Sequence, residues 1–224
     1  MKGLQEETDS GNIYLVVKHG AICQESKTEV VGFQPVEVKN PRTGETITKY
    51  IKRYKTVEGM ICKVEWYDTE EKYENRFIGW KIHIDAAGVP AVLDLPFDSR
   101  ASNRFMKVAE NLDFSQPVEF RAWHDQKTDS TAFYIGQNGQ SVPQLYTQEH
   151  PGECPPPVQN PVTKKWNFDK QKEFLHARMI DSVIPAVEEQ GNEMPRLEMA
   201  RAAAASSSES HAPESDLSDD DIPF

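Results

Sequence analysis

The stretch SRASNRFMKVAENL, Ser99 to Leu112, is where the spacing of apolar residues along the chain changes. On either side of it apolar and polar residues alternate, as they do along half-buried strands. Within it four apolar residues follow the spacing of one helix face: Phe105, Val108, Ala109 and Leu112. Ser99 or Ser102 can cap the first turn. We therefore predict one helix here, set among strands.

Three runs before this helix are predicted strands: GMICKVEWYD at Gly59–Asp68, RFIGWKIHID at Arg76–Asp85 and PAVLDLPF at Pro90–Phe97. Alternation in the first run predicts one face made of Ile61, Lys63, Glu65 and Tyr67, and another made of Met60, Cys62, Val64 and Trp66. Trp80 alternates with Ile82 and Ile84, which favours a place in the core. Two strands follow the helix, at Pro117–Asp125 and Thr131–Asn138.

The order of strands, one helix and two strands resembles the five-stranded oligonucleotide-binding barrel, in which a helix commonly lies between the third and fourth strands. We therefore predict a mainly β fold, an oligonucleotide-binding-like barrel with an elaborated N-terminal sheet. That sheet would use three earlier β-rich runs, Asn12–Cys23, Glu29–Val38 and Glu45–Val57. A barrel that begins at Asn12, an SH3-like barrel and a small sandwich are alternatives.

The chain divides by composition into six parts. We predict a flexible arm at 1–11, the barrel domain at 12–141, a Pro-rich connector at 142–166, a helix at 167–190, a disordered linker at 191–218 and an acidic tip at 219–224. The predicted C-terminal helix carries a stripe made of Phe174, Leu175, Arg178, Met179 and Val183, and Pro185 is expected to end or kink it. That helix either packs back on the barrel or contacts a second subunit or a partner.

The net charge of the 224 residues is −11. Residues 196–224 hold two basic and seven acidic side chains, which leaves −6 for the rest. Because nucleic-acid binders are usually basic, any such surface here has to be a local patch. Three cysteines stand far apart, no zinc-ligand spacing occurs, and neither a leader-like nor a membrane-spanning apolar run is present. We expect a cytoplasmic protein of a bacterial host, without metal or cofactor.

The chain ends in Asp219-Asp220-Asp221-Ile222-Pro223-Phe224. A solvated tail gains nothing from Ile-Pro-Phe, so these residues predict a peptide ligand whose Phe224 is buried by a partner while a basic rim attracts the aspartates. The terminal carboxylate would meet an Arg or Lys. An acidic solubilising tail is the alternative.

The string DDDIPF, Asp219 to Phe224, resembles the C-terminal tip of bacterial single-stranded DNA-binding proteins. The resemblance covers only these six residues. It implies docking on host replication, recombination and repair enzymes. The longer folded part and the Ala/Ser-rich linker favour a divergent version, such as one from a phage or mobile element.

The best candidate for DNA contact is KYIKRYK, Lys49 to Lys55, which lies in a stretch with six basic residues against one acid. Single-strand binding needs cations for phosphates and aromatic faces for bases. We predict that six residues of this run contact DNA: Lys49, Tyr50, Lys52, Arg53, Tyr54 and Lys55. Lys63, Tyr67 and Arg76 are further predicted contacts. The alternative is a solvated strand face whose tyrosines favour β structure.

Signals for catalysis are poor, because the six histidines show no familiar partner spacing and no phosphate-binding glycine loop or hydrolase motif occurs. We therefore predict a non-enzymatic protein that binds single-stranded DNA without strong sequence preference and recruits partner enzymes through its tip. It would involve no membrane, and a homo-oligomer is possible. The alternative is an adaptor or inhibitor of host enzymes that copies the tip and binds no DNA. A strand-annealing mediator is a third interpretation.

Overall fold

The computed structural model describes residues 12–39, 44–70, 76–147 and 149–190. The predicted arm, linker and acidic tip lie outside these residues. The described chain is mainly β, as predicted. Its strands are β1 (Ile13–Lys18), β2 (Ala21–Ser26), β3 (Gln34–Lys39), β4 (Thr46–Tyr54), β5 (Thr56–Glu70), β6 (Arg76–Ala86), β7 (Val89–Pro96), β8 (Val118–Asp125), β9 (Ser130–Gln137), β10 (Gln140–Ser141), β11 (Val158–Gln159) and β12 (Trp166–Asn167).

Ten of these strands form one large sheet in the order β10-β9-β8-β5-β6-β7-β1-β2-β4-β3, and β11 pairs with β12 in a small hairpin. The long strand β5 pairs with β8 through its first residues and with β6 through the rest. Strand β7 pairs in parallel with β1, and every other described pair is antiparallel. The order of the described strands is open, so the N-terminal strands extend the sheet beyond β7.

The sheet nevertheless curls round on itself. The turn between β1 and β2 reaches β8 and β9, where the Gly20 N–H donates to Thr131 Oγ1 at 3.0 Å. Gly20 has a φ of +68°, and a Cβ there would lie 2.5 Å from the backbone nitrogen of His124. Only glycine combines this conformation with so close an approach. The curl therefore encloses one face of the sheet around a core.

The core lies inside this curl and is continuous with two helices, α1 (Arg100–Val108) and α2 (Asp169–Arg178). Trp80 is fully buried, as its alternation with Ile82 and Ile84 predicted. Ser99 caps α1 by accepting a hydrogen bond from the Ser102 N–H at 3.0 Å, and a 3-10 turn continues the chain from Ala109 to Asn111. The predicted helix between the strands is therefore confirmed.

Strand β5 corrects the predicted alternation. Ile61 pairs with Ile84 and Lys63 with His83, so a bulge at Cys62 places two residues opposite one. Ile61 is consequently buried on the same side as Val64, not on the face of Lys63. The bulge arises from the pairing of β5 with β6. It cannot be predicted from the alternation of residues within β5 alone.

The C-terminal helix packs against the core, as the first of the two interpretations predicted. Its buried stripe is Leu175, Met179, Val183 and Val187. His176 packs edge-on against Trp66 with 4.4 Å between ring centroids. Pro185 does not end the helix, because a wider π turn from Met179 to Val183 precedes it and residues 184–190 remain helical.

The Pro-rich stretch is part of the packed unit. Val142 and Cys154 are buried in the core, and β11 and β12 form their hairpin near its end. The Leu145 N–H donates to the backbone oxygen of Lys107 at 2.9 Å, which fastens the stretch to α1.

Candidate nucleic-acid interface

The large sheet has an inner face, which carries Trp80 and the helices, and an outer face turned the other way. Strand pairing places one row of outer-face residues across six strands, from β5 to β4: Glu65, Lys81, Asp94, Val16, Cys23 and Arg53. Six strands at about 4.8 Å spacing extend about 24 Å along the sheet. The outer face therefore joins the predicted contacts of β4 to those of β5.

Tyr67 is held in place at the β5 end of the outer face. Its hydroxyl donates to Asp94 Oδ1 at 2.8 Å, and Lys81 Nζ lies 5.5 Å from its ring centroid. Gly79 leaves room for the phenol, because a Cβ there would lie 2.7 Å from Tyr67 Oη. Burial, helped by the hydrogen bond to Asp94, raises the pKa of Tyr67. The hydroxyl therefore stays protonated and keeps donating to Asp94.

Two further aromatic side chains of the outer face are about half exposed: Tyr14 at 53% and Phe77 at 49%. Tyr14 pairs with Val92 on β7, and Phe77 pairs with Thr69 on β5. Each offers a ring to solvent on the face that carries Tyr67. Sequence reasoning considered Phe77 as a possible extension of the aromatic track without including it among the predicted contacts, and it did not consider Tyr14. The alternation of Tyr14 with Val16 and Lys18 was the available signal for the latter.

Charges on the outer face are largely matched. Lys63 and His83 both contact Glu65, and hydrogen bonds from them lower the pKa of that carboxyl. Between Tyr67 and Arg53 the rows hold five cations (Lys18, Lys49, Arg53, Lys63 and Lys81) and four carboxylates (Glu25, Glu65, Asp85 and Asp94). The surface is thus weakly positive on a strongly acidic chain.

Glu25 is the carboxylate at the β2 end of this surface. It contacts Lys18, and Lys49 Nζ lies 3.1 Å from its Oε2. Burial acts to raise the pKa of Glu25, but hydrogen bonds from the two lysines outweigh it and the pKa is lowered. An apolar cluster of Ala21, Cys23 and Ile51 lies beside this group on the same face.

The run from Lys49 to Lys55 divides between the two faces of β4. Lys49 and Arg53 lie on the outer face with Lys63 and Tyr67. Tyr50, Lys52 and Tyr54 share the opposite face, as alternation predicted, and Lys55 is exposed at the bend before β5.

Tyr54 packs against the main core. Its hydroxyl donates to Gln24 Oε1 at 2.9 Å, and Lys52 Nζ lies 5.2 Å from its ring centroid. Arg76 lies on the face opposite Tyr67, and its Nε donates to Asp68 Oδ1 at 2.8 Å. The strand pairing thus places Lys49, Arg53, Lys63 and Tyr67 on one face of the sheet and leaves the other predicted contacts elsewhere.

A second tyrosine–cation pair lies on β8 and β9, on the outward side of the curl. The Arg121 guanidinium lies 5.4 Å from the ring centroid of Tyr134. A Cβ at Gly136 would lie 2.4 Å from Tyr134 Oη, so a glycine again leaves room for a tyrosine. Trp123 beside them is 49% exposed. This arrangement repeats that of Tyr67, Lys81 and Gly79.

The described part of the chain contains no group of three His, Cys, Asp or Glu side chains placed to hold a metal ion. Burial raises the thiol pKa of all three free cysteines, Cys23, Cys62 and Cys154. Within the described ranges, neither helix is long and apolar enough to cross a membrane.

The predicted partner-binding residues Asp219, Asp220, Asp221, Ile222, Pro223 and Phe224 lie outside the described residues. Comparison with known protein families, curated proteins and solved structures finds no match for this chain.

Proposed function

We propose that this protein is a non-enzymatic single-stranded DNA-binding protein whose outer face binds the strand. The observation that carries the proposal is the outer face itself, where strand pairing aligns side chains from Tyr67 on β5 to Arg53 on β4. This face has exposed rings at Tyr14 and Phe77 and five cations. Bases stack on aromatic faces and phosphates pair with cations, and neither contact selects a sequence. The proposed activity is coating of DNA during replication, recombination or repair.

We infer further that β5 to β9 with α1 form an oligonucleotide-binding-like unit. Its support is the pairing of β5 with both β6 and β8, and the position of α1 between β7 and β8. In this scheme β1 and β2 extend the sheet beside β7 and widen the binding face.

The tip, residues 219–224, is the proposed recruiting element. Its support is the sequence alone: three aspartates before three residues that contain two large apolar side chains. We expect Phe224→Ala to remove most of the affinity for a host replication or repair enzyme that binds such tips, while DNA affinity stays at or above wild type. Weaker DNA binding in this variant would contradict the division of roles.

The decisive experiment measures binding of a fluorescent oligothymidylate to the full chain by anisotropy at two salt concentrations. We expect binding that weakens with salt, and a loss of about five- to a hundredfold in affinity for Phe77→Ala, because one stacked base contributes about 1 to 3 kcal/mol. Val162→Ala is the matched control, since Val162 is 87% exposed and far along the chain from the sheet. Equal affinity of the two variants would remove Phe77 from the interface.

The second candidate function is an adaptor that occupies host enzymes through the tip and binds no DNA. The matched charges of the outer face and the net charge of −11 favour it. Absence of oligonucleotide binding even at low salt, together with intact enzyme binding, would decide for the adaptor.

A further inference from the structure

A groove lies away from the outer face, between α1, the Pro-rich stretch, β12 and the start of α2. Its volume is about 980 Å³, within the range of pockets that bury a small ligand. Side chains from all four segments line it, including Arg104, Lys107, Tyr146, Trp166, Phe168 and Gln171. We refer to it as the α1 groove.

The α1 groove contains two cations and no carboxylate among the residues that line it. Lys107 is half-buried, and burial lowers the pKa of its amine. Its side chain has no hydrogen bond or ion pair with any described residue. Burial likewise lowers the pKa of Arg104, whose Nη2 donates to the backbone oxygen of Val142 at 3.1 Å.

Carboxylates near the α1 groove are engaged with other side chains or do not line the groove. Glu110, one turn along from Lys107, accepts from Arg178 Nε at 2.9 Å and from Tyr146 Oη at 2.8 Å. Glu149 and Glu153 in the adjoining loop are exposed and do not line the groove. Lys107 is therefore a partly desolvated cation without a matched anion. An anionic ligand would compensate for the hydration energy that its ammonium group loses on burial.

The remaining walls are apolar and stiff. Four of the lining residues are prolines, Pro143, Pro151, Pro156 and Pro157, and Val142 forms part of the wall. At the rim Trp166 is 56% exposed and Phe168 is 42% exposed. Large apolar rings left in water beside such a cavity mark a binding groove, and fixed proline backbones reduce the entropy lost on binding.

We propose that the α1 groove binds the acidic tip of this same chain, residues 219–224. Ile222 and Phe224 enter between the prolines and the two rim rings, and the three aspartates face Lys107 and Arg104. The inference rests on the tip being a peptide ligand, as in the proposed function, and it does not depend on DNA binding. A docked tip is withheld from partner enzymes until it is released.

The chain is long enough for this contact. The helical stretch from Asp169 to Gln190 begins beside the groove and spans about 33 Å at 1.5 Å per residue. Residues 191–218 can extend up to about 90 Å at roughly 3.3 Å per residue. The return path therefore needs less than half of the available length.

An acidic apolar peptide fits better than a second DNA track. The two cations sit together within a cavity bounded by prolines, and they do not form a line that could follow a phosphate backbone. Side chains as large as isoleucine and phenylalanine bury more apolar surface there than a sugar-phosphate chain would.

The test uses full-length protein that carries Phe224→Ala, which weakens its own tip, and a fluorescein-labelled peptide of residues 214–224. Anisotropy should show binding to this protein and weaker apparent binding to the wild-type chain, whose tip competes. Adding Lys107→Gln should reduce peptide affinity by about tenfold or more, the effect of losing one charge-assisted contact. Adding Lys127→Gln, an equal charge change in the exposed turn after β8, should leave it within about twofold.

Equal peptide affinity with Lys107→Gln and Lys127→Gln would overturn the proposal. So would equal binding to the wild-type and Phe224→Ala chains, because the intact tip would then not occupy the groove. Loss of oligothymidylate binding with unchanged peptide binding in Lys107→Gln would assign the groove to DNA instead. If Lys107→Gln does not fold, Trp166→Ala at the exposed rim tests the proposal instead. The proposal requires this variant to reduce peptide affinity by a similar factor.

Discussion

Three lysines of the outer face are paired with carboxylates, whereas Lys107 of the α1 groove is unpaired within the described part of the chain. On the outer face Lys63 lies against Glu65, and Lys18 and Lys49 lie against Glu25. In the groove Lys107 has no such partner among the described residues and loses part of its hydration. Paired surface cations can exchange their carboxylates for phosphates at little cost, whereas an unpaired half-buried cation gains most from one tightly held anion.

The difference follows from how each region is built. Strand register sets the outer face. Alternate residues of each strand, aligned across six neighbouring strands, form a broad surface suited to a long polymer. The α1 groove is assembled where α1, a proline-rich segment and a short hairpin meet, and it is a cavity of about 980 Å³. A coating surface and a peptide pocket are therefore produced by two kinds of packing in one chain.

The largest expected effect concerns the glycine that supports the outer face. Gly79→Ala places a methyl group 2.6 Å from the Leu95 backbone oxygen and 2.7 Å from Tyr67 Oη. We expect a loss of about 2 to 3 kcal/mol in the free energy of unfolding, measured by urea denaturation. Gly88→Asn is the control, because Gly88 has a φ of +85° and open space, and asparagine tolerates that conformation. Similar losses in both variants would contradict the close contact with Tyr67.

The next effect tests the unpaired cation directly. In the Phe224→Ala background, Lys107→Met should leave stability unchanged or raise it by up to about 1 kcal/mol, because a half-buried charge without a partner is removed. Lys49→Met should lower stability by about 0.5 kcal/mol, since Glu25 loses one of its two lysines. Thermal and urea unfolding measure whether the free energy of unfolding changes in opposite directions in the two variants. A loss for both would show that Lys107 has a partner.

The salt dependence of DNA binding separates the two regions. Each single-strand phosphate contact contributes about 0.7 to the slope of log K against log salt. We expect Arg53→Gln and Lys81→Gln each to reduce that slope by about this amount, while Lys107→Gln leaves it unchanged. Anisotropy titrations of oligothymidylate over a salt series measure the slopes. Three identical slopes would contradict the assignment of the outer face.

The smallest effect is the response of the outer face to acid. Because the pKa of Glu25 is lowered in the folded protein, its ion pairs contribute stability above its ordinary value of 4.5, and that contribution disappears as the pH falls through the lowered pKa. Unfolding free energies measured between pH 6 and pH 3 should therefore fall less steeply for Glu25→Gln than for wild type, by less than about 1 kcal/mol. Parallel curves would show that the group contributes nothing.

Much of the fold could be predicted from residue order. Ser99 marked the start of α1, and Trp80 was recognisable as core from its alternation with Ile82 and Ile84. The bulge at Cys62 could not be predicted, because it depends on which residues of β6 lie opposite. Of the two outcomes predicted for Pro185, an end of the helix is wrong, because residues 184–190 remain helical after the π turn from Met179 to Val183.

The candidate site was predictable only in part. Lys49, Arg53, Lys63 and Tyr67 were selected by local charge and aromatic content, and strand pairing places them on one face. Tyr54 has the same local signal but packs against the core and donates to Gln24. Because β4 carries cations on both of its faces, its sequence alone does not show which face packs against the core.

The sequence by itself determined the local structure: alternation produces strands, the apolar spacing from Ser99 to Leu112 produces a helix, and DDDIPF is an acidic peptide with an apolar end. Each of these depends on neighbours in the chain. The tertiary structure alone decided that Tyr14 shares a face with Arg53 and that Lys107 and Trp166 line one groove. Such contacts come from strand order and from the curl of the sheet, which depend on the burial of residues far apart in the chain.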